Sequence, residues 1–215
     1  MKIAVLAALA AFSLLAPPAA DSETTPTAGS AADGAAPVMA VWVEQKIDFT
    51  YVGFTAHYSC DGLKGKVNSI LKEIGARPGF KLTARGCMNP RHGAEWTPML
   101  NLVVATPREA TPEILAEVAK DDSRRELAAK AGGKDAPTAE ATAEFPARMR
   151  RVVFRDSPSG LVEPGDCELI EQLRDKVFVP LGAKIVESHM SCVPHRINNG
   201  IVNLTIEVLE PLPQG

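Results

Sequence analysis

The chain has no excess of positive charge. Its formal net charge is −3, from 23 Lys and Arg against 26 Asp and Glu. A general nucleic-acid binder carries a basic surplus, so that class is set aside. Long apolar runs are also missing beyond the first residues. Ile3 to Ala16 is apolar but shorter than the ~20 residues a membrane-spanning helix needs. Only four cysteines occur, and none are in Cys-x-x-Cys spacing, which removes the usual dithiol redox motif. There is no Gly-x-Ser-x-Gly, no phosphate-binding glycine loop and no His-Glu-x-x-His. No carboxylate pair stands out from the charged surface. Ser59 precedes a cysteine expected to be bonded and has no assigned base. These absences name no catalytic residue and lean away from an enzyme.

What remains points to export. Lys2 and the apolar run, followed by Ala16-Pro17-Pro18-Ala19-Ala20, read as a signal peptide over 1–20, with cleavage expected after Ala20. Residues 21–40 are rich in Ala, Thr, Gly and Pro and read as a disordered leader. With the signal removed, no transmembrane segment is expected. The expected location is the periplasm or the cell exterior.

The rest of the chain carries one cysteine-framed pattern twice. Cys60 and Cys87 frame the first copy, and Cys167 and Cys192 the second. In each copy a Gly-Ala pair follows the first cysteine at the same offset (Gly75-Ala76 and Gly182-Ala183). An Asn-Leu pair falls in the last apolar run of each (Asn101-Leu102 and Asn203-Leu204). Leu63, Val67, Ile70, Leu71 and Ile74 recur at helical spacing after Cys60. Ile170, Leu173, Val177, Phe178 and Leu181 do the same after Cys167, predicting a helix over 166–181 with Pro180 distorting its last turn. Ile47, Phe49 and Tyr51, then Phe80, Leu82 and Ala84, alternate as strands do. So do Ile185, Glu187 and His189, while Val152–Phe154 and Ile201–Leu209 are shorter and longer apolar strands.

The fold class expected is therefore α+β. It consists of two tandem β-α-β-β units, 41–107 and 148–215, in a mostly antiparallel sheet with helices on one face. The two units either share that sheet or pack back to back. The connector 108–147 has its own surface helix. Thr111 caps it, Pro112 suits its first turn and Gly132-Gly133 end it, with a flexible linker over 134–146.

Geometry ranks the cysteine pairings. A helix from Cys60 to Gly75 descends about 22 Å at the helical rise, and the return strand climbs about 26 Å. The chain thus returns Cys87 to the level of Cys60, and the same holds for Cys167 and Cys192. The expected disulfides are Cys60–Cys87 and Cys167–Cys192, each stabilising by roughly 3 kcal/mol on the loop-entropy argument.

Binding candidates cluster near the second cysteine of each copy. Arg91-His92 and His195-Arg196 occupy equivalent hairpin loops and form a candidate anion or partner site. Met88, His92, His189, Met190 and His195 offer soft ligands of the kind that suit copper, but their spacing fits no metal motif. His189 and Met190 are strand neighbours and point to opposite faces. No metal site and no cofactor is therefore assigned. Trp42, Phe49, Tyr51, Phe54 and Tyr58 crowd the first strand region, mostly as core, with an exposed remainder suited to an interface.

The copies also differ in charge. Residues 41–107 hold eight Lys and Arg against five Asp and Glu, net +3, and residues 148–215 hold eight against nine, net −1. The function expected is that of an exported binding or accessory protein working through its surface, with a protein or small-molecule partner left unnamed. The alternatives are a periplasmic copper-handling protein, or a secreted thiol-redox or hydrolytic enzyme.

Overall fold

Alternation of apolar side chains in the strands creates the surface on which the rest assembles. A computed structural model describes residues 36–86, 97–131, 143–155, 161–196 and 200–213. The expected signal and most of the expected leader lie outside these residues. So do Cys87, Met88, Arg91, His92, Gly132, Gly133 and most of the linker.

The element order is β1 (Val38–Thr50), α1 (Cys60–Glu73), β2 (Lys81–Arg85), β3 (Met99–Glu109) and α2 (Pro112–Lys130). These are followed by β4 (Phe145–Arg155), α3 (Cys167–Leu173), β5 (Lys184–Ser191) and β6 (Ile201–Pro211). The strands form a six-stranded sheet in the order β2-β3-β1-β4-β6-β5, with every pairing antiparallel. The chain is thus α+β, and both halves lie in one sheet. The central seam is short. β1 and β4 share only the pairs Val38–Ala147, Met39–Pro146 and Ala40–Phe145.

The register puts Phe49 of β1, Leu100, Leu102 and Val104 of β3, Val152 and Phe154 of β4, and Leu204 and Ile206 of β6 on one face. Both α1 and α3 cover that face. Leu63, Val67, Ile70 and Leu71 come from α1, and Leu169, Ile170 and Leu173 from α3. Phe154 stacks on Phe178 at 5.3 Å between ring centroids. Burial of this one apolar layer is the main stabilising term. A smaller cluster joins Val118 of α2 to Val41 and Val43. Thr111 caps α2, its hydroxyl accepting from the Ile114 amide, and Pro112 opens the first turn.

The two helical segments that cover the core face, α1 and α3 with its π turn, end alike. Gly75 and Gly182 take φ values of 81° and 87°. Ala76 N–H reaches the Leu71 carbonyl and Ala183 N–H the Phe178 carbonyl, the six-to-one bond of a Schellman cap. Each cap also rests against the other half of the sheet. Gly75 lies beside the Leu209 carbonyl of β6, and Gly182 beside the Arg108 side chain of β3. The buried Thr106 hydroxyl of β3 donates to the Leu181 carbonyl at 2.7 Å.

Three expectations need correction in detail. The second helix is not one α-helix over 166–181. After Leu173 it widens into a π turn, Arg174–Phe178, with Val179 N–H bonding Arg174 O. Pro180 has no amide to offer the carbonyl four residues back, and its ring crowds that carbonyl, so the regular ladder stops. Strand β5 does not alternate evenly. A bulge between Ile185 and Glu187 shifts its register, so Ile185 and, beyond it, Met190 both pack against the core. Finally, Val38–Ala40 and Phe145-Pro146, assigned from composition to the leader and the linker, form the central seam of the sheet. Pro146 is tolerated near the start of β4, where its carbonyl accepts from Leu212 N–H.

The two caps supply a test. Gly75→Ala and Gly182→Ala each force a Cβ into left-handed backbone. Each is expected to cost about 1 kcal/mol in chemical denaturation, the conformational penalty less the entropy gained in the unfolded chain.

Candidate functional site

At the start of α3, two acidic residues follow from the sequence Gly165-Asp166-Cys167-Glu168 and are buried. Asp166 is 4% exposed and Glu168 7%. Buried carboxylates persist only with full sets of partners, and theirs come largely from the first half of the chain. Glu168 Oε2 accepts from the amides of Phe54 (2.8 Å) and Thr55 (3.0 Å), and its Oε1 from the Thr55 hydroxyl (3.1 Å). Asp166 Oδ1 accepts from the Tyr58 hydroxyl. Its Oδ2 accepts from Glu163 N–H (2.8 Å) and pairs with Lys66 Nζ (2.9 Å), which also pairs with Glu163 (2.7 Å).

The grip continues along the helix. Gln172 lies one turn beyond Glu168, and its amide pairs both ways with the backbone of Val52. It accepts from the N–H at 3.1 Å and donates to the carbonyl at 2.8 Å. Lys176, a further turn on, donates to Thr50 O at 3.3 Å and lies over the Phe49 ring. Residues 168, 172 and 176 thus read out the main chain of 50–55, much as a neighbouring strand would. Gly53 makes the close fit possible. A Cβ there would collide with the Ala56 carbonyl and with the Tyr51 hydroxyl that donates to it.

Thr55 is held from a second side. Its hydroxyl oxygen accepts from His195 N–H at 3.0 Å and lies 3.4 Å from Val193 O. His195 adopts φ 64°, unusual for a residue with a Cβ, and its ring meets the Phe54 ring edge-on at 6.3 Å. Phe54 itself is 54% exposed and stands beside the exposed Val52 and Val193. Of the five crowded aromatics, Phe49 and Tyr51 are buried, Tyr58 packs on the core, and Trp42 packs on Phe145 and under Arg77. Phe54 is the outward member.

The disulfide Cys167–Cys192 adjoins this clamp, with a Cα separation of 5.5 Å. Cys60 is also disulfide-bonded, while Cys87, its expected partner, lies outside the described residues. Of the anion-site candidates, His195 and Arg196 are exposed at the clamp, and Arg91 and His92 fall outside the described residues. His189 is exposed while Met190 packs inward. Among the described residues, no three His, Cys, Asp or Glu side chains gather as metal ligands would.

Tyr58, Asp166 and Lys66 have the makings of a proton relay, but their geometry is closed. Burial, then the hydrogen bond to Asp166 and its negative charge, push the Tyr58 pKa far above the ordinary phenol value. Burial, with Glu168 and Asp166 nearby, also raises Tyr51. Desolvation alone would lower Lys66, but hydrogen bonds to Glu163 and Asp166 outweigh it and the pKa rises. All three groups therefore hold their protons, and the Asp166 oxygens are occupied. A cleft between β1 and α2, lined by Trp42, Glu44, Arg77, Glu117, Asp121 and Arg125, has a volume of about 70 Å³, well below an ordinary metabolite pocket. No family model, curated protein or solved structure matches the chain.

Sequence reasoning did not single out Asp166, Glu168, Gln172, Lys176 or Thr55. The available signal was the polar row at 168, 172 and 176, because the equivalent positions after Cys60 are Asp61, Gly65 and Ser69.

Two tests follow. Glu168→Ala leaves the Phe54 and Thr55 amides without their acceptor and should cost about 3 kcal/mol in urea unfolding, with Gln172→Ala costing about 1 kcal/mol. The raised pKa values of Tyr51, Tyr58 and Lys66 add stability at pH values below their unfolded pKa values, near 10. As pH climbs past 10 the unfolded state releases protons that the folded state retains, so stability must fall. A urea midpoint unchanged between pH 9 and pH 11 would contradict this arrangement.

Proposed function

We propose that this chain is an exported, disulfide-stapled accessory protein that binds a partner through the surface at the junction of its two halves. The patch comprises Val52, Phe54 and Val193, rimmed by His195 and Arg196. The observation that carries this reading is Phe54. A large aromatic side chain is presented to solvent on backbone that Glu168 fixes in place. A rigid, outward aromatic edged by the His195 ring is the composition of an interaction anchor. The closed Tyr58–Asp166–Lys66 cluster and the small cleft supply no competing catalytic reading.

We also read the two halves as a tandem duplication. Support comes from the shared strand–helix–strand–strand order, the matching Schellman caps and the equivalent cysteines. On this reading the first copy supplies the aromatic anchor and the second supplies the groups that hold it. Export fits the bonded cysteines and the N-terminal apolar run.

The test is native mass spectrometry of the protein isolated from its own compartment, beside the Phe54→Asp variant. The expected result is a mature chain lacking residues 1–20, two disulfides, and a bound partner that the variant loses without loss of thermal stability. Recovery of the same partner by Phe54→Asp, or an intact N-terminus starting at Met1, would reject the respective half of the reading.

A further inference from the structure

The residues that grip Thr55 are neighbours of the two bonded cysteines. Glu168 follows Cys167, and Val193 follows Cys192 with His195 close behind. Glu168 takes the Thr55 amide and hydroxyl on one side, and the Val193–His195 turn takes the same hydroxyl on the other. The disulfide Cys167–Cys192 therefore joins the two jaws of the clamp, while the object clamped belongs to the other half of the chain.

We propose that this disulfide is a redox latch on the Phe54 surface. When it is closed, it holds the Val193–His195 turn against Thr55 and Phe54. When a dithiol reductant opens it, the turn is released and Phe54 loses its only described ring contact beyond the loop, while the fold persists. The proposal rests on reading the Phe54 face as the working surface, and it names what controls that face.

Four observations support it. Cys192 is only partly buried, whereas Cys167 is 6% exposed, so an incoming thiolate reaches the Cys192 sulfur first. His195 holds left-handed backbone, a conformation that survives only while its surroundings enforce it, so the turn relaxes once one anchor is cut. The reduced state has a place for its proton, because Cys167 Sγ lies 3.7 Å from the Ile201 carbonyl, within reach of a thiol donor. The remaining grip does not pass through the disulfide. Gln172 on Val52, Lys176 on Thr50 and the apolar face of α3 stay in place.

The chemistry balances as ordinary thiol–disulfide exchange. A thiolate of the dithiol attacks Cys192 Sγ, forming a mixed disulfide and expelling the Cys167 thiolate, which takes a proton. The second thiol of the reductant then closes on the first, expelling the Cys192 thiolate, which is protonated in turn. Two electrons pass to the protein disulfide and the dithiol leaves oxidised.

The experiment uses the full mature chain and needs no partner, so its outcome is independent of the binding test above. Dithiothreitol is titrated in, thiols are trapped by alkylation, and mass mapping identifies which pair has opened. Hydrogen exchange is then read on peptides covering 50–58 and 192–196, with far-ultraviolet circular dichroism as the measure of fold. Opening Cys167–Cys192 should raise exchange at His195, whose amide loses the Thr55 hydroxyl, roughly tenfold, the size expected from losing one hydrogen bond, with the dichroism unchanged and the Phe54 and Thr55 amides still held by Glu168. The Cys167→Ala/Cys192→Ala double variant should show the same exchange without reductant. Thr55→Val should loosen 192–196 while the disulfide stays intact. Unchanged exchange at His195 after opening overturns the latch. So does loss of the whole dichroism signal at the same reductant concentration, since the bond is then a staple of the entire fold.

Discussion

The buried carboxylates of Asp166 and Glu168 are the constraint around which the two halves are organised. A charge removed from water is tolerated only where donors replace the lost hydration. Here the donors are Lys66, the Tyr58 hydroxyl, and the amides of Phe54 and Thr55, with one amide from Glu163. Nearly all belong to the first half. The second half cannot bury the start of its helix unless the first half is folded beside it. The chain after β1 cannot satisfy its amides unless that helix is present. Each half completes the other electrostatically as well as by apolar burial.

This dependence explains how so short a seam suffices. Only three residue pairs join β1 to β4. A sheet held at its middle by that seam alone would hinge. The cross-half contacts oppose hinging at both ends of the helical segments. At their starts, Glu168 and Asp166 bind the 54–66 region. At their ends, Thr106 bonds Leu181, and Gly75 sits against β6 while Gly182 sits against β3. The apolar layer between sheet and helices then lies between two sets of directional contacts. Hydrophobic burial supplies most of the energy, and the polar contacts select the arrangement.

Much of the fold was legible because it rests on periodicity. The helical stripe after Cys60, the alternation in Ile47–Tyr51 and the Gly-Ala cap signals act locally, and local physics decides them. Equal helix descent and strand return likewise made the Cys167–Cys192 pairing readable. The illegible parts depend on partners far away in sequence. Pro146 and Phe145 look like linker until β1 supplies the strand they pair with. Pro180 announced a distortion, but not a π turn. Glu168, Gln172 and Lys176 look like an ordinary solvated helix row until the 50–55 backbone is laid against them. Polar side chains satisfied over more than a hundred residues leave no local signature, which is why the clamp escaped while the core did not.

The same contrast separates what the two halves share from where they differ. The two halves share strand–helix–strand–strand order, Schellman caps and cysteine positions. They differ where the helix meets the incoming chain. After Cys167 come Glu168, Gln172 and Lys176; after Cys60 come Asp61, Gly65 and Ser69. Gly65 has no side chain, and a Cβ built there would meet nothing. The second helix grips the 50–55 backbone through the 168, 172 and 176 side chains, whereas α1 reaches the segment before α3 through Lys66. Side chains at three equivalent positions of the two helices thus differ while the apolar face of each helix still packs on the sheet. That difference fixes an outward Phe54 where both halves, the Cys167–Cys192 disulfide and the left-handed turn at His195 meet.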